Sequence, residues 1–202
     1  MTETAVQESV IEVRDLARKF RRKQALAGVN ITVPRGVVYG LVGENGAGKT
    51  TLLKHILASL RAQSGSVRVF GHDPVKDPVA VLSQLGYLSE DRDIPGWMRV
   101  GEAMGYTQAF YPGWDETYAE SLRERFELDA RAKIKTLSRG EKAKCGLLLA
   151  LAYRPPLLVL DEPSSGLDPS ARHDILEAIV RTVADEGRTV LFSSHLLDEV
   201  ER

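Results

Sequence analysis

The sequence predicts an α/β fold with a largely parallel sheet, on three observations. Short runs rich in valine, isoleucine and leucine alternate with stretches of helical periodicity. Two of these runs, 157–160 and 189–193, are continuously apolar, as strands buried on both faces are. A glycine-rich segment at 43–50 joins an apolar run to a helical stretch.

In chain order, strand candidates are 10–14, 28–33, 37–42 and 66–70. A helix is expected over 51–57, directly after the glycine-rich segment. From 99 to 153 no strand pattern stands out. Tyr118, Leu122 and Phe126 instead mark one face of a helix opened by Asp115 as N-cap. Ser138-x-x-Glu141 reads as a capping box before a helix over 142–152. After the strand 157–160, Asp168-Pro169 begins a helix carrying Ile175, Leu176, Ile179, Val180 and Val183, with Gly187 near its end. The strand 189–193 follows. The reading is one domain of two lobes: an α/β core from 1–90 and 155–202, and an inserted helical subdomain at about 91–154.

Composition narrows the function. The 202 residues hold 27 Lys and Arg against 28 Asp and Glu, a net charge of −1, which argues against a general nucleic-acid coat or polybasic membrane binder. The longest apolar run, 145–153, is under half the roughly 20 residues a bilayer-spanning helix needs. Residues 1–4 show no basic region leading into an apolar stretch, so no secretory signal is expected. The single cysteine, Cys145, reads as a small buried apolar residue and suits a cytosolic protein. His55, His72 and His173 lack metal-ligand spacing. The basic cluster Arg18, Lys19, Arg21, Arg22 and Lys23 is read as a solvated turn, with nucleotide or lipid-headgroup contact as alternatives.

Two motifs carry chemistry. Gly43-Glu44-Asn45-Gly46-Ala47-Gly48-Lys49-Thr50, followed by Thr51, matches the phosphate-binding pattern G-x-x-x-x-G-K-[ST] in its strand–loop–helix context. Glycines let backbone N–H groups curl around phosphate oxygens, and the helix N-terminus adds positive partial charge. Lys49 supplies a cation for the β- and γ-phosphates, and Thr50 a hydroxyl for Mg²⁺. The strand 157–160 then ends in Asp161-Glu162. Ligands of open α/β sheets bind at the carboxyl ends of strands. Asp161 would hold Mg²⁺ through its water shell, and Glu162 would polarise the attacking water as general base.

Leu137-Ser138-Arg139-Gly140-Glu141 resembles the Leu-Ser-Gly-Gly-Gln signature of ATP-binding cassette (ABC) ATPases, at the usual spacing before Asp161. Ser165-Gly166-Leu167-Asp168 looks like the family's D-loop, and His195, after the strand 189–193, like its switch histidine. Phe20 stands where the family places an adenine-stacking aromatic; core packing is the alternative. The resemblance runs from about 11 to 202. It implies the ABC nucleotide-binding fold, with an N-terminal antiparallel β part, a parallel core and the helical insert. It also implies Mg²⁺-dependent ATP hydrolysis by a head-to-tail dimer, with Ser138 and Gly140 acting in trans on the γ-phosphate. The second cassette would be another copy or a similar subunit, and a separate integral membrane permease subunit would be driven by the motion. The implied location is cytoplasmic, peripheral on the inner face of the cell membrane, with no nucleic-acid partner.

Two departures from the family pattern stand out. Glu90 replaces the usual glutamine that meets Mg²⁺ and the attacking water; it is read as a metal-site residue, with a solvated acidic loop as alternative. Arg139 and Glu141 replace glycine and glutamine in the signature. The segment 110–115 together with Ser138-Arg139-Gly140 looks like a bacterial exporter subfamily linked to drugs, antibiotics or lipids. Trp97, Met98, Tyr111 and Trp114 are candidates for contact with the membrane subunit; an aromatic patch inside the helical lobe is the alternative. A soluble cassette acting on ribosomes or DNA is the other functional class. The segment 196–202 reads as the beginning of a helix, so the chain is expected to be short for the family at its C-terminal end.

Overall fold

The structure, a computed structural model, describes residues 8–184 and 186–195. The readings made on 1–4 and 196–202 lie outside the described residues.

In chain order the elements begin with the strands β1 (Ser9–Phe20), β2 (Lys23–Pro34) and β3 (Val38–Val42), then the helix α1 (Lys49–Ile56). Next come β4 (Ser64–Val69), α2 (Pro78–Leu82), β5 (Leu85–Leu88), α3 (Val100–Gln108) and α4 (Glu116–Arg125). A 3₁₀ turn at Ile134–Thr136 leads into α5 (Arg139–Leu151), β6 (Leu157–Leu160), α6 (Pro169–Ala184) and β7 (Thr189–Ser194).

Two sheets result. One is antiparallel, in the order β2-β1-β4; the other is parallel, in the order β3-β7-β6-β5. The basic cluster forms the tip of the β1–β2 hairpin, where Arg21 turns the chain at φ 49°. This agrees with the solvated-turn reading, although Arg18 to Phe20 are still strand.

The parallel sheet divides the interior because successive strand side chains point to opposite faces. Leu157, Val159 and Leu191 face one apolar cluster, with α1 and the antiparallel sheet. Leu158, Leu160, Val190 and Phe192 face the other, with residues from α3 to α6. Every residue of β6 and β7 is buried, which is why both read as unbroken apolar runs.

The expected helix over 115–126 is α4. Asp115 caps it by accepting from Tyr118 N at 2.9 Å, and Leu122 and Phe126 are buried. The strand β5 was not anticipated. It is four residues long and contains Gly86, a weak strand former. That glycine is required by packing: a Cβ there would overlap the carbonyl oxygen of Ala150 on α5.

The aromatic group proposed for partner contact divides. Met98 is buried and Trp114 packs against the same core, its indole N–H donating to Glu116 Oε2 at 2.8 Å. Met98 is corrected to an interior residue and Trp114 to a partly buried one, because both pack on the cluster to which α5 contributes its buried leucines. Trp97 is 73% exposed, and Tyr111 stacks on Tyr153 with ring centroids 3.7 Å apart. Cys145 is buried, and desolvation pushes its thiol up to about 12.

Gly86→Ala is expected to destabilise the chain by about 1–3 kcal/mol, because α5 must move away from β5. Urea unfolding with an unchanged m-value would show it; an unchanged midpoint would mean α5 is not held at this distance.

Candidate functional site

The site forms where β3, β6 and β7 end side by side, because their parallel register brings their carboxyl ends to one edge. The glycine-rich loop leaves β3 and enters α1 through Gly48, at φ 100°, where a Cβ would overlap the carbonyl oxygen of Ala25. Only glycine satisfies both conditions. Lys49, the first residue of α1, turns back into the loop, donating to the carbonyls of Gly43 at 2.5 Å and Glu44 at 3.3 Å. Its Nζ also lies 3.1 Å from Glu162 Oε1.

The two carboxylates at the end of β6 are both buried but differ in their partners. Asp161 Oδ1 accepts from Ser193 Oγ at 2.7 Å and from Thr50 Oγ1 at 3.3 Å. Glu162 takes φ 47°. Its backbone N–H donates to Ser193 Oγ at 2.9 Å, and its Oε2 is 2.7 Å from His195 Nδ1. Ser193 thus joins both carboxylate residues to β7. The sequence reading missed this serine, although it is a polar residue at the end of an apolar strand.

A cavity of about 350 Å³ opens beside these groups. Phe20, Asn45, Gly46, Gly48, Lys49, Thr50, Thr51, Glu90 and Glu162 line it, together with Lys23, for which nucleotide contact was the alternative to a solvated turn, and Ala25, which the sequence reading missed. Phe20 is 42% exposed and the Arg18 guanidinium lies 4.7 Å from its ring centroid, so the plain core-packing alternative does not hold. Gly43, Glu44 and Ala47 complete the same loop outside the cavity wall; Asp161 and His195 stand behind Thr50 and Glu162.

Ser138 and Gly140 are not brought to this cavity. They start α5, where Ser138 Oγ accepts from Glu141 N at 3.2 Å and Glu141 Oε2 accepts from Ser138 N at 2.7 Å. The sequence-read capping box is therefore formed. Gly140 is buried against Ala171 of α6. Hydrogen bonds from Ser138, helped by Lys144, hold the Glu141 carboxyl below the usual carboxylate range.

A depressed carboxylate pKa stabilises the fold above the ordinary value, and that stability is lost as pH falls through the lowered one. Ser138→Ala is expected to cost about 1 kcal/mol at neutral pH. The charge is tested by Glu141→Gln: in urea unfolding followed from neutral to acid pH, the gap between Glu141→Gln and the unsubstituted chain should narrow on acidification. A gap independent of pH would mean that the Glu141 charge plays no part.

The profile of the family described as ABC transporter matches residues 26–165. The chain is 35% identical over 193 residues to the ABC transporter ATP-binding protein YtrB of Bacillus subtilis (strain 168), covering 96% of this chain and 66% of that protein. It is 35% identical over 198 residues to the daunorubicin/doxorubicin resistance ATP-binding protein DrrA of Streptomyces peucetius, covering 95% and 59%. It thus spans less than two thirds of the length of these relatives. Among solved structures, an ATP binding subunit of an ABC transporter superposes with a TM-score of 0.85 at 31% identity, over 96% of this chain and 82% of that one. The phosphate loop on a parallel sheet, the paired carboxylates beside it and these similarities lead to one conclusion: the chain belongs to the ABC transporter family.

Proposed function

We propose that the chain binds and hydrolyses ATP with Mg²⁺, as the ATPase subunit of an exporter. The observation that carries this reading is the Glu162 carboxylate, held between Lys49 Nζ at 3.1 Å and His195 Nδ1 at 2.7 Å against the phosphate-loop cavity. Phe20 stacks on the base, loop N–H groups bind phosphate oxygens, and Lys49 moves from Glu162 and the loop carbonyls onto the β- and γ-phosphates. Glu162, relieved of that ion pair but still held by His195, accepts the proton of the attacking water. Thr50 and Asp161 offer oxygen donors only, the ligand type that suits Mg²⁺. Thr50 would hold the ion directly, Asp161 through water, with Glu90 at the cavity wall as a third oxygen donor. When bound, the ion neutralises charge on the phosphates.

Residues 91–154 serve in this proposal as the helical signature subdomain, and 1–90 with 155–202 as the catalytic core. Ser138 and Gly140 begin α5 away from the chain's own cavity, so their proposed contact with the γ-phosphate belongs to a head-to-tail dimer, a homodimer in the simplest case. Among the described residues no helix is long and apolar enough to cross a membrane. A separate permease subunit is proposed to dock in the groove of about 740 Å³ lined by Leu82, Tyr87, Tyr111, Leu149 and Tyr153. Trp97, Tyr106 and Phe110 add exposed aromatic surface on this helical part. The assembly then lies on the cytoplasmic face of the membrane. The antibiotic-resistance relative supports export of a drug-like or lipid-like compound.

Glu162→Gln is expected to lower MgATP turnover about 10²–10⁴-fold while ATP is still bound. Turnover within twofold of the unsubstituted chain would remove Glu162 as the base. Leu82→Arg places a charge in the groove. It should abolish co-purification with the membrane subunit and leave ATP hydrolysis by the isolated chain within twofold; co-purification at the original yield would remove the groove as the docking site.

A further inference from the structure

Arg92 is a buried cation that the proposed reaction does not use. It lies two residues beyond Glu90 and is 7% exposed, in a left-handed conformation at φ 52°. Its own backbone is tied locally, with N donating to Ser89 O at 3.1 Å and O accepting from Ile94 N at 2.8 Å. The guanidinium reaches across to a different segment. Nη2 donates to the carbonyl of Ser165 at 3.0 Å and to that of Pro163 at 3.3 Å, while Nε has no hydrogen-bond partner.

Burying a guanidinium on backbone carbonyls is costly. Burial lowers its pKa, the nearby Arg139 lowers it further, and Glu90 opposes both. The segment it grips follows Glu162 directly. Glu162 is itself in the left-handed region, which a non-glycine residue holds only where its surroundings over-determine it. Ser165 N donates back to Glu162 O at 3.1 Å, and Leu167 N to Ser164 O at 3.2 Å, so 162–167 is a chain of tight turns. The Arg139 guanidinium also lies against Gly166, filling the space a Cβ would need. Two arginines from separate segments thus meet the 163–166 backbone, and Arg92 hydrogen-bonds to it.

We infer that Arg92 is a positioning residue for hydrolysis: by holding the carbonyls of Pro163 and Ser165, it fixes where the Glu162 carboxylate stands against the phosphate-loop cavity. The same residue also lines the groove proposed for the membrane subunit, as do Asp91 and Asp93. A movement of that wall therefore has, beside the β5–β6 pairing, a side-chain route through Arg92 to the backbone that follows Glu162. This inference rests on the proposed ATPase reading for its kinetic consequence, but not for its structural one.

Both consequences are measured on the full chain, with Arg92→Met and Arg92→Lys. Amide exchange is expected to accelerate more than tenfold in 163–168 for Arg92→Met, with β6 and β7 unchanged. Steady-state hydrolysis should show kcat lowered about ten- to a hundredfold, with KM for MgATP and Kd for MgADP each within threefold. Arg92→Lys, which offers one nitrogen in place of a planar fork, should fall between Met and Arg in both measurements. Unchanged exchange in 163–168 overturns the inference, whether or not the chain hydrolyses ATP. So does accelerated exchange with kcat within twofold, or a kcat loss matched by an equal loss of MgADP affinity. If the unsubstituted chain hydrolyses no ATP, the proposed activity fails, and the exchange result still decides whether Arg92 holds the segment.

Discussion

The Ser193 hydroxyl is the junction on which the site depends. It donates to Asp161 Oδ1 and accepts from the backbone N–H of Glu162, so one small group at the end of β7 orders both carboxylate residues at the end of β6. All three residues are buried. Bulk water therefore cannot replace either bond, and losing one would leave a buried polar group unsatisfied, which costs about 1–3 kcal/mol. The arrangement is possible only because β6 and β7 are adjacent and parallel, with Leu160 opposite Phe192. The pairing of β3 with β7 then carries the glycine-rich loop to the same edge, where Thr50 meets Asp161.

From that edge the influence of the fold extends in two directions. Towards α1, Lys49 closes the loop on itself and on Glu162, so the cation is stored within reach of the place where phosphates are proposed to bind. Towards α6, the backbone after Glu162 meets Arg92 and Arg139, and Asp168 ends it by accepting from Ser170 N and Ala171 N, each at 3.0 Å. Those two hydrogen bonds hold the Asp168 carboxyl below the usual carboxylate range. The edge that carries the carboxylates is thus continuous with α5 and α6, the helices that would carry any rearrangement of the helical part.

Legibility in the sequence followed locality. The glycine-rich loop, the Asp115 cap, the Ser138–Glu141 capping box and the unbroken strands β6 and β7 all depend on residues a few positions apart, and each was readable. The antiparallel sheet was reached only through family resemblance, since the β1–β2 hairpin carries an irregular register and β4 pairs with β1 from far along the chain. The strand β5 was lost because its glycine answers to α5 rather than to strand propensity. Met98 and Trp114 looked available for a partner, yet Met98 is buried and Trp114 packs one side on the core, because amphipathic or aromatic character does not say which side of a turn faces the core.

By itself the sequence determined the chemical inventory: a phosphate loop, two carboxylates at the end of a buried strand, a histidine after the next, and a capped helix at the signature. These depend on short-range spacing and on backbone rules that hold in any fold. Only the tertiary structure decided which of those groups meet. It placed Phe20, Lys23, Glu90 and Glu162 around one cavity, set Ser138 and Gly140 apart from it, and put Arg92 on the backbone that follows Glu162. The reason is physical: such contacts join residues separated by tens of positions, and they form only when strand order and helix packing have already fixed the distances between segments.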